Sequence, residues 1–258
     1  MKILRLGHAM YVLTSKQGKR YLVDPFFDMN PGCPADYQTK EYLRTIDAVL
    51  LTHGHFDHTS GLAKLREANP NCLVIAQYEL AMILMQKGFD QVYPLNLGGS
   101  YSFEDMTATM VQARHTSSYG ETEGTPLYAG EAAGYIFDFH EDRTVYHSGD
   151  TNIMMDMKLY QELYQPDVAI LSSSGQFTMG PKEAAYAVRN LLDVDYVIPS
   201  HTFPIKEKAV NGEVFDALLE AFPVIGAMAG RDKELEQELS GYEKTKVAVL
   251  GYGDEIEL

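Results

Sequence analysis

Residues 53–58 read His-Gly-His-Phe-Asp-His, a segment whose side chains are suited to binding a divalent metal. The segment holds three of the eight histidines of the chain, and a carboxylate stands among them. Imidazole and carboxylate groups are ligands that zinc and similar metals prefer. A histidine-rich polar loop that binds nothing is the alternative interpretation, but the clustering of these groups favours a metal site.

The elements around this segment predict how its side chains are presented. Residues 48–52 form a short apolar run that predicts a buried strand, so His53 and His55 can point to the same side of the chain. Gly54 permits an unusual backbone conformation between them. Because residues 61–68 predict a helix, Asp57 and His58 are expected in the turn between strand and helix, where they could face a second metal.

Three further residues with metal-binding side chains follow predicted strands. His115 comes after the strand predicted at 107–113, Asp150 after the one at 143–147, and His201 after the one at 196–199. Their side chains are therefore expected on the same kind of sheet rim as His53. A carboxylate has two oxygens, so Asp150 could bridge two cations.

Taken in this order, the HxHxDH segment, the strand-end histidine, the Gly-Asp-Thr and the last histidine resemble the metallo-β-lactamase superfamily along essentially the whole chain. Shorter segments resemble more closely a branch of small bacterial metal-dependent hydrolases that is related to L-ascorbate-6-phosphate lactonase. These segments are residues 7–8, 22–26, 114–118, 146–151, 177–181 and 201–204. The Phe-Thr-Met-Gly-Pro sequence at 177–181 is the one that points to the branch.

The resemblance implies a four-layer αββα sandwich of the α/β class, formed by residues 1–258 as a single domain. It also implies two divalent metals, with zinc expected first and manganese or iron as alternatives. The implied ligands are His53, His55 and His115 for one metal and Asp57, His58 and His201 for the other, with Asp150 as the bridge. Asp57 and Asp150 are the predicted catalytic residues, and His8 and Asp24 are predicted to orient the ligands or contact the substrate.

The predicted function is hydrolysis of an ester, lactone or phosphodiester bond in a small molecule by a hydroxide that bridges the two metals. A phosphodiesterase or nuclease of the same superfamily is an alternative, but the formal net charge of −15 opposes binding of a polyanion, so no nucleic-acid partner is expected. A diiron oxygen-reducing protein would be expected to have a glutamate at the position of His55. A non-catalytic metal-binding module would be expected to have lost ligands.

Two departures from the family pattern concern the rim that would contact the substrate. Residues 172–176 read Ser-Ser-Ser-Gly-Gln in place of a Pro-Ile-Gly-Asp-like stretch. Thr202 directly follows His201, where similar proteins often have two more residues. The metal ligands are retained through both changes, so the sequence predicts the chemistry but not the substrate.

Composition and the remaining elements complete the prediction. Hydrophobic residues make up 45% of the chain, which is ordinary for a globular protein. Cys33 and Cys72 lack a CxxC spacing and are expected to be reduced, and with no signal peptide or apolar membrane span recognised, a cytoplasmic protein is expected. A homo-oligomer is left open. Residues 117–131 are predicted as an exposed loop or lid, and residues 246–250 as a last long strand.

Overall fold

Two seven-stranded sheets lie at the centre of the fold in a computed structural model that describes residues 1–122 and 124–258. The strands are β1 Lys2–Gly7, β2 Met10–Thr14, β3 Arg20–Val23, β4 Ala48–Leu50, β5 Leu73–Gln77, β6 Val92–Leu95, β7 Ser100–Ser102, β8 Met106–Gln112, β9 Ser118–Thr122, β10 Thr125–Tyr128, β11 Ala133–Phe139, β12 Thr144–His147, β13 Val168–Ser172, β14 Tyr196–Ser200, β15 Lys246–Val247 and β16 Glu255–Glu257. The helices are α1 Lys40–Leu43, α2 Phe56–Thr59, α3 Leu62–Ala68, α4 Tyr78–Gln86, α5 Asp156–Tyr164, α6 Pro181–Asn190, α7 Gly212–Ala221 and α8 Asp232–Glu238. Single 3₁₀ segments occur at Ala35–Gln38, Lys206–Lys208 and Pro223–Ala227.

The two sheets are built on the same plan. The first has the strand order β16-β1-β2-β3-β4-β5-β6, and the second has the order β15-β14-β13-β12-β11-β8-β7. In the first sheet β1 to β3 are antiparallel neighbours and β3 to β6 are parallel. In the second sheet β7, β8, β11 and β12 are antiparallel and β12 to β15 are parallel. Each half of the chain thus changes from antiparallel strands to α/β alternation.

Apolar side chains fill three layers between four layers of secondary structure. Tyr11 of the first sheet and Tyr135 of the second share the central core between the sheets. Helices α3 and α4 cover the outer face of the first sheet through residues such as Leu65 and Leu84. Helices α5, α6 and α8 cover the second sheet, with Val188 among the buried residues. Because each buried side chain of this size contributes about 1.5–3 kcal/mol, both outer helix layers are well anchored.

The parallel strands of both sheets deliver the predicted ligands to one cleft. Strand β4 leads into His53, β12 leads into Asp150, and β14 leads into His201. Open α/β sheets bind ligands at the carboxyl ends of their parallel strands, since those ends share one edge. The fold therefore assembles residues that are up to about 150 positions apart in the sequence.

The structure departs from the predicted elements in three places. The prediction of a loop at 117–131 was wrong for most of its length, because β9 and β10 pair there as a hairpin with Thr125 opposite Thr122. Residue 123 lies outside the described residues. The strand predicted at 246–250 is only two residues long, although Ala248 N still donates to the carbonyl of Val197. The predicted turn that carries Asp57 is the short helix α2. Among the described helices, none combines the length and apolarity that crossing a membrane requires.

Candidate metal centre

Gly54 brings the HxHxDH segment against the β9–β10 hairpin. Its backbone N–H donates to Oγ of Ser117 at 3.1 Å. A Cβ atom at this position would lie 2.7 Å from the carbonyl oxygen of Ser118, closer than real Cβ atoms approach a backbone. Helix α2 begins directly after His55, so its first turn presents Asp57 to the cleft. Glycine at 54 is thus required for the segment to lie where it does.

The first group of potential ligands consists of His53, His55 and His115, as predicted for one metal. Nε2 of His53 lies 2.9 Å from Nδ1 of His55, and that atom lies 3.3 Å from Nε2 of His115. Three ring nitrogens therefore converge on one point, each within 4.8 Å of the others. Imidazole nitrogens in this arrangement are suited to sharing a cation.

The second group contains Asp57, His58 and His201, together with a fourth residue, His8. Oδ2 of Asp57 lies 3.7 Å from Nε2 of His58 and 4.0 Å from Nε2 of His201. His8 comes from the turn between β1 and β2, and its Nε2 lies 3.2 Å from the same carboxylate oxygen. The sequence predicts His8 near the site but gives no sign that it contacts Asp57.

Asp150 lies between the two groups. Its Oδ2 atom is 2.7 Å from Nε2 of His201 and 3.4 Å from Nε2 of His58 on one side. On the other side the same oxygen is 3.7 Å from Nε2 of His115 and 4.0 Å from Nε2 of His53. Oδ1 of Asp150 and Nε2 of His58 are buried and have no hydrogen-bond partner among the described residues. Since buried polar atoms are nearly always paired, these two atoms fit a bound cation.

Asp24 and Thr52 fix the orientation of two histidines. Oδ1 of Asp24 accepts from the backbone N–H of Thr52 at 2.8 Å, and Oδ2 accepts from the Thr52 hydroxyl at 2.6 Å. Nδ1 of His58 lies 2.8 Å from that Oδ2, and Nδ1 of His53 lies 3.0 Å from Oγ1 of Thr52. Because the one hydroxyl proton of Thr52 is given to Asp24, Nδ1 of His53 must donate to Thr52. Nδ1 of His58 must donate to Asp24, since a carboxylate only accepts. Their Nε2 atoms therefore face the other potential ligands and can bind a metal when they carry no proton.

The serine-rich segment at 172–176 supports His201 in the same way. Oγ of Ser174 lies 3.0 Å from Nδ1 of His201 and within hydrogen-bonding distance of the carbonyl of Gly175. A hydroxyl that donates to this carbonyl accepts from Nδ1 of His201. The departure from the family pattern thus supplies a partner for a predicted ligand, a role that the sequence gives no means of assigning.

The backbone is strained at three positions of the site. His8, Asp24 and His201 have φ angles of 50°, 52° and 59°, in the left-handed region that favours glycine. Strain of this kind costs about 1–3 kcal/mol per residue and persists where the surrounding structure imposes it. Here the backbone N–H of His201 donates to the carbonyl of His8 at 3.2 Å, which joins two of the strained positions.

Charge and burial set the protonation of the cluster. Burial, reinforced by the charge on His58, lowers the pKa of His53 well below its usual value, and burial also lowers the pKa of His55 and His115. Burial opposes charge on Asp150, but His201 and His58 outweigh it and hold its pKa well below the usual range. Burial likewise opposes charge on His58, but the neighbouring carboxylates, Asp150 first, raise its pKa. A proton on His58 occupies the place of a cation, so metal binding is expected to release protons.

The candidate metal centre opens into a cleft of about 910 Å³. The potential ligands that line it are His55, Asp57, His115, Asp150 and His201. His8 is fully buried behind Asp57, with its ring stacked 4.2 Å from that of Phe203. The cleft therefore gives a small molecule access to the cluster.

Comparison with known proteins identifies chains that are similar to this one. Residues 19–202 match the β-lactamase superfamily domain. A UPF0173 metal-dependent hydrolase of Koribacter versatilis is 39% identical over 209 residues, which are 80% of this chain and 86% of that protein. Another of the same name from Mesorhizobium japonicum is 38% identical over 236 residues, 88% of this chain and 98% of that protein.

A solved structure shows the same fold at lower identity. The metallo hydrolase Igni18 from Ignicoccus hospitalis superposes with a TM-score of 0.77 over 99% of this chain and 97% of its own, at 24% sequence identity. At this identity the likeness concerns the fold alone.

Proposed function

The chain belongs to the metal-dependent hydrolases of the β-lactamase superfamily, and we propose that it hydrolyses an ester, lactone or phosphodiester bond of a small molecule. The resemblance and the fold expected from the sequence are thereby confirmed. The observation that carries the proposal is the position of Asp150, whose Oδ2 atom lies within 4.0 Å of ring nitrogens from both groups of ligands.

Seven residues would hold two divalent cations. His53, His55 and His115 would bind one, Asp57, His58 and His201 the other, and Asp150 would contact both. Such cations supply hydroxide at neutral pH by lowering the pKa of bound water, and they polarise the bond to be cleaved. The Nε2 lone pairs that Asp24 and Thr52 direct into the site support this arrangement.

Asp57 is the proposed proton acceptor of the reaction. Its side chain is 19% exposed and lies on the wall of the cleft, so it can meet both substrate and water. Burial lowers the pKa of His8 to about 4, so at neutral pH His8 is uncharged and can donate its Nε2 proton to Asp57. This hydrogen bond holds one carboxylate oxygen in place while the other stays available.

Two other functions remain as alternatives. A phosphodiesterase or nuclease would use the same cations, and cleavage of structured RNA beside a simple phosphodiester tests it directly. A non-catalytic metal-binding module would bind metal without turning over any substrate. All seven predicted ligands lie in the cluster, and this favours a catalytic protein over a module.

The experiment that tests the proposal begins with metal analysis of protein purified without added metal. A panel of lactones, phosphodiesters and thioesters is then assayed with zinc, manganese and iron. The double variant His53→Ala/His55→Ala should lose both metal and activity. The control is His140→Ala, which replaces an exposed histidine that contacts Thr107 and should retain both. Metal and activity that survive in the double variant would contradict the proposal.

A further inference from the structure

Part of the cleft lining carries a charge opposite to that of the protein as a whole. Its volume of about 910 Å³ is larger than a single hydrolysable bond needs and lies near the upper end of small-molecule sites. Asp57 and Asp150 belong to the metal centre. The other formally charged residues in the described lining are Arg66 and Lys87, both cationic, in a chain with a formal net charge of −15.

Arg66 holds the backbone at Lys87 and Gly88. Its Nη1 atom donates to the carbonyls of Lys87 and Gly88 at 3.1 and 3.0 Å, at the C-terminal end of α4, and its guanidinium lies 4.4 Å from the ring centroid of Phe89. A lysine at a helix C-terminus is ordinarily explained by its interaction with the last carbonyls. Here Arg66 already donates hydrogen bonds to carbonyls at this end of the helix. Nζ of Lys87 lies instead 5.6 Å from the ring centroid of Tyr119.

The charge of Lys87 is available to a ligand. Its side chain is exposed, and in the described part of the chain none of the ion pairs involves Lys87 or Arg66. A cation on the wall of an otherwise acidic protein favours a ligand that carries a negative charge.

The wall of the same cleft is apolar and exposed. Phe56 and Phe222 stack with ring centroids 5.3 Å apart at 16°, yet they remain 40% and 42% exposed, and Phe177 is 54% exposed. Aromatic side chains that are exposed inside a cleft are a feature of ligand-binding grooves. A ligand that covered these rings would gain from their burial, so the cleft favours a molecule with an apolar portion.

We propose, building on the hydrolase function above, that the substrate is an amphipathic anion. Its scissile bond lies at the metal centre, its apolar portion contacts Phe56 and Phe222, and a separate anionic group pairs with Lys87. Hydrolysis adds hydroxide to the acyl carbon or phosphorus, gives a proton to the leaving group, and leaves the anionic group unchanged. A carboxylate, sulfonate or phosphate would meet the same requirement.

Binding of two fluorescent probes tests this site without any turnover. Anilinonaphthalene sulfonate is an apolar anion, and N-phenylnaphthylamine is the same chromophore without the charge. Both dissociation constants are measured on metal-loaded protein, and the constant of the anion is divided by that of the neutral probe. Lys87→Met should raise this ratio about fivefold, as expected for the loss of one solvent-accessible charge pair. The matched control Lys158→Met, an exposed helical lysine outside the cleft, should leave the ratio unchanged. An unchanged ratio in Lys87→Met, or an equal change in Lys158→Met, would overturn the proposal.

Hydrolysis of two esters separates this proposal from the proposed function. Nitrophenyl hexanoate and the nitrophenyl monoester of adipic acid differ by a terminal carboxylate. Lys87→Met should lower the anionic-to-neutral ratio of kcat/KM about fivefold. Hydrolysis of both esters with a ratio that Lys87→Met does not alter would refute the amphipathic anion and leave the hydrolase intact. Charge-dependent probe binding without hydrolysis of any member of the substrate panel would support the anion site and count against the hydrolase.

Discussion

Nδ1 of His58 lies 2.8 Å from Oδ2 of Asp24, and both side chains are completely buried. The carboxylate of Asp24 contacts the Nδ1 side of the imidazole. It also accepts hydrogen bonds from the hydroxyl and the backbone N–H of Thr52. A carboxylate in this position fixes the tautomer of a metal-binding histidine and raises its basicity. The backbone position of Asp24, directly after β3, therefore determines how the His58 ring is oriented in the cluster.

Replacing this carboxylate should weaken metal binding without removing a ligand. Asp24→Asn keeps the shape of the side chain but removes its charge, and we expect metal affinity to fall about 10–100-fold. Competition with a chelator of known affinity measures the change. Asp28→Asn, which alters an exposed carboxylate paired with Lys64, should have no effect. Equal affinities in Asp24→Asn and the unaltered protein would show that Asp24 serves the fold alone.

Gly54→Ala should destabilise the protein because a Cβ atom at this position meets the backbone of Ser118. Forcing an extra methyl group into a closed contact costs about 1–3 kcal/mol of unfolding free energy. Urea denaturation measures the loss. Gly212→Ala is the control, since a Cβ atom there has nothing within 4 Å. A fully stable Gly54→Ala variant would mean that the β9–β10 hairpin can move away from the segment.

The two cysteines should be unreactive in the folded protein. Burial raises the pKa of Cys33 and of Cys72 to about 12. An exposed thiol ionises near pH 8.5, whereas these thiols should stay protonated as the pH rises through about that value. Mass spectrometry after iodoacetamide treatment should show slow labelling of native protein and two labels after denaturation. Ser240→Cys provides an exposed thiol for comparison, and labelling of a native cysteine at its rate would contradict the expectation.

The sequence predicts the candidate metal ligands because their signals are local. His53, His55 and Asp57 lie within one short segment, and Asp150 and His201 each follow an apolar strand. Since carboxyl ends of parallel strands share an edge, Asp150 and His201, which follow parallel strands of one sheet, are brought to the same edge. The layers of the sandwich are implied by the resemblance to the metallo-β-lactamase superfamily, and the alternation of strands and helices along the chain agrees with it.

Contacts between distant segments carry no such signal. Nη1 of Arg5 lies 2.9 Å from Oδ2 of Asp232, although the two residues are 227 positions apart. The apolar neighbours of Arg5 in β1 give no hint that its guanidinium is buried. Similarly, Lys87 looks like an ordinary helix-end lysine until the fold brings Tyr119 beside it. These pairings depend on three-dimensional packing, which a residue pattern along the chain does not contain.

Arg5 connects the first strand to the segment that follows His201. Its guanidinium donates to Oδ2 of Asp232, to the carbonyl of Leu250 and, at 2.7 Å, to Oγ1 of Thr202. Thr202 in turn donates to Asp232. Burial opposes the charge of Arg5, but Asp232 outweighs it and raises its pKa above the usual range, so the residue stays charged. Because Thr202 directly follows His201, the network helps to hold the strained backbone of His201 in place.

Arg5→Met should therefore cost stability and loosen the metal centre. Removing one partner of a buried ion pair costs about 3–5 kcal/mol, because the other partner is left without compensation. Urea denaturation measures this loss, and chelator competition should show weaker metal binding, since Thr202 adjoins His201. Arg20→Met, in β3, removes a guanidinium that donates to exposed Thr45 and should cost about 1 kcal/mol or less. Equal losses of stability in the two variants would show that the buried network contributes no more than a surface contact.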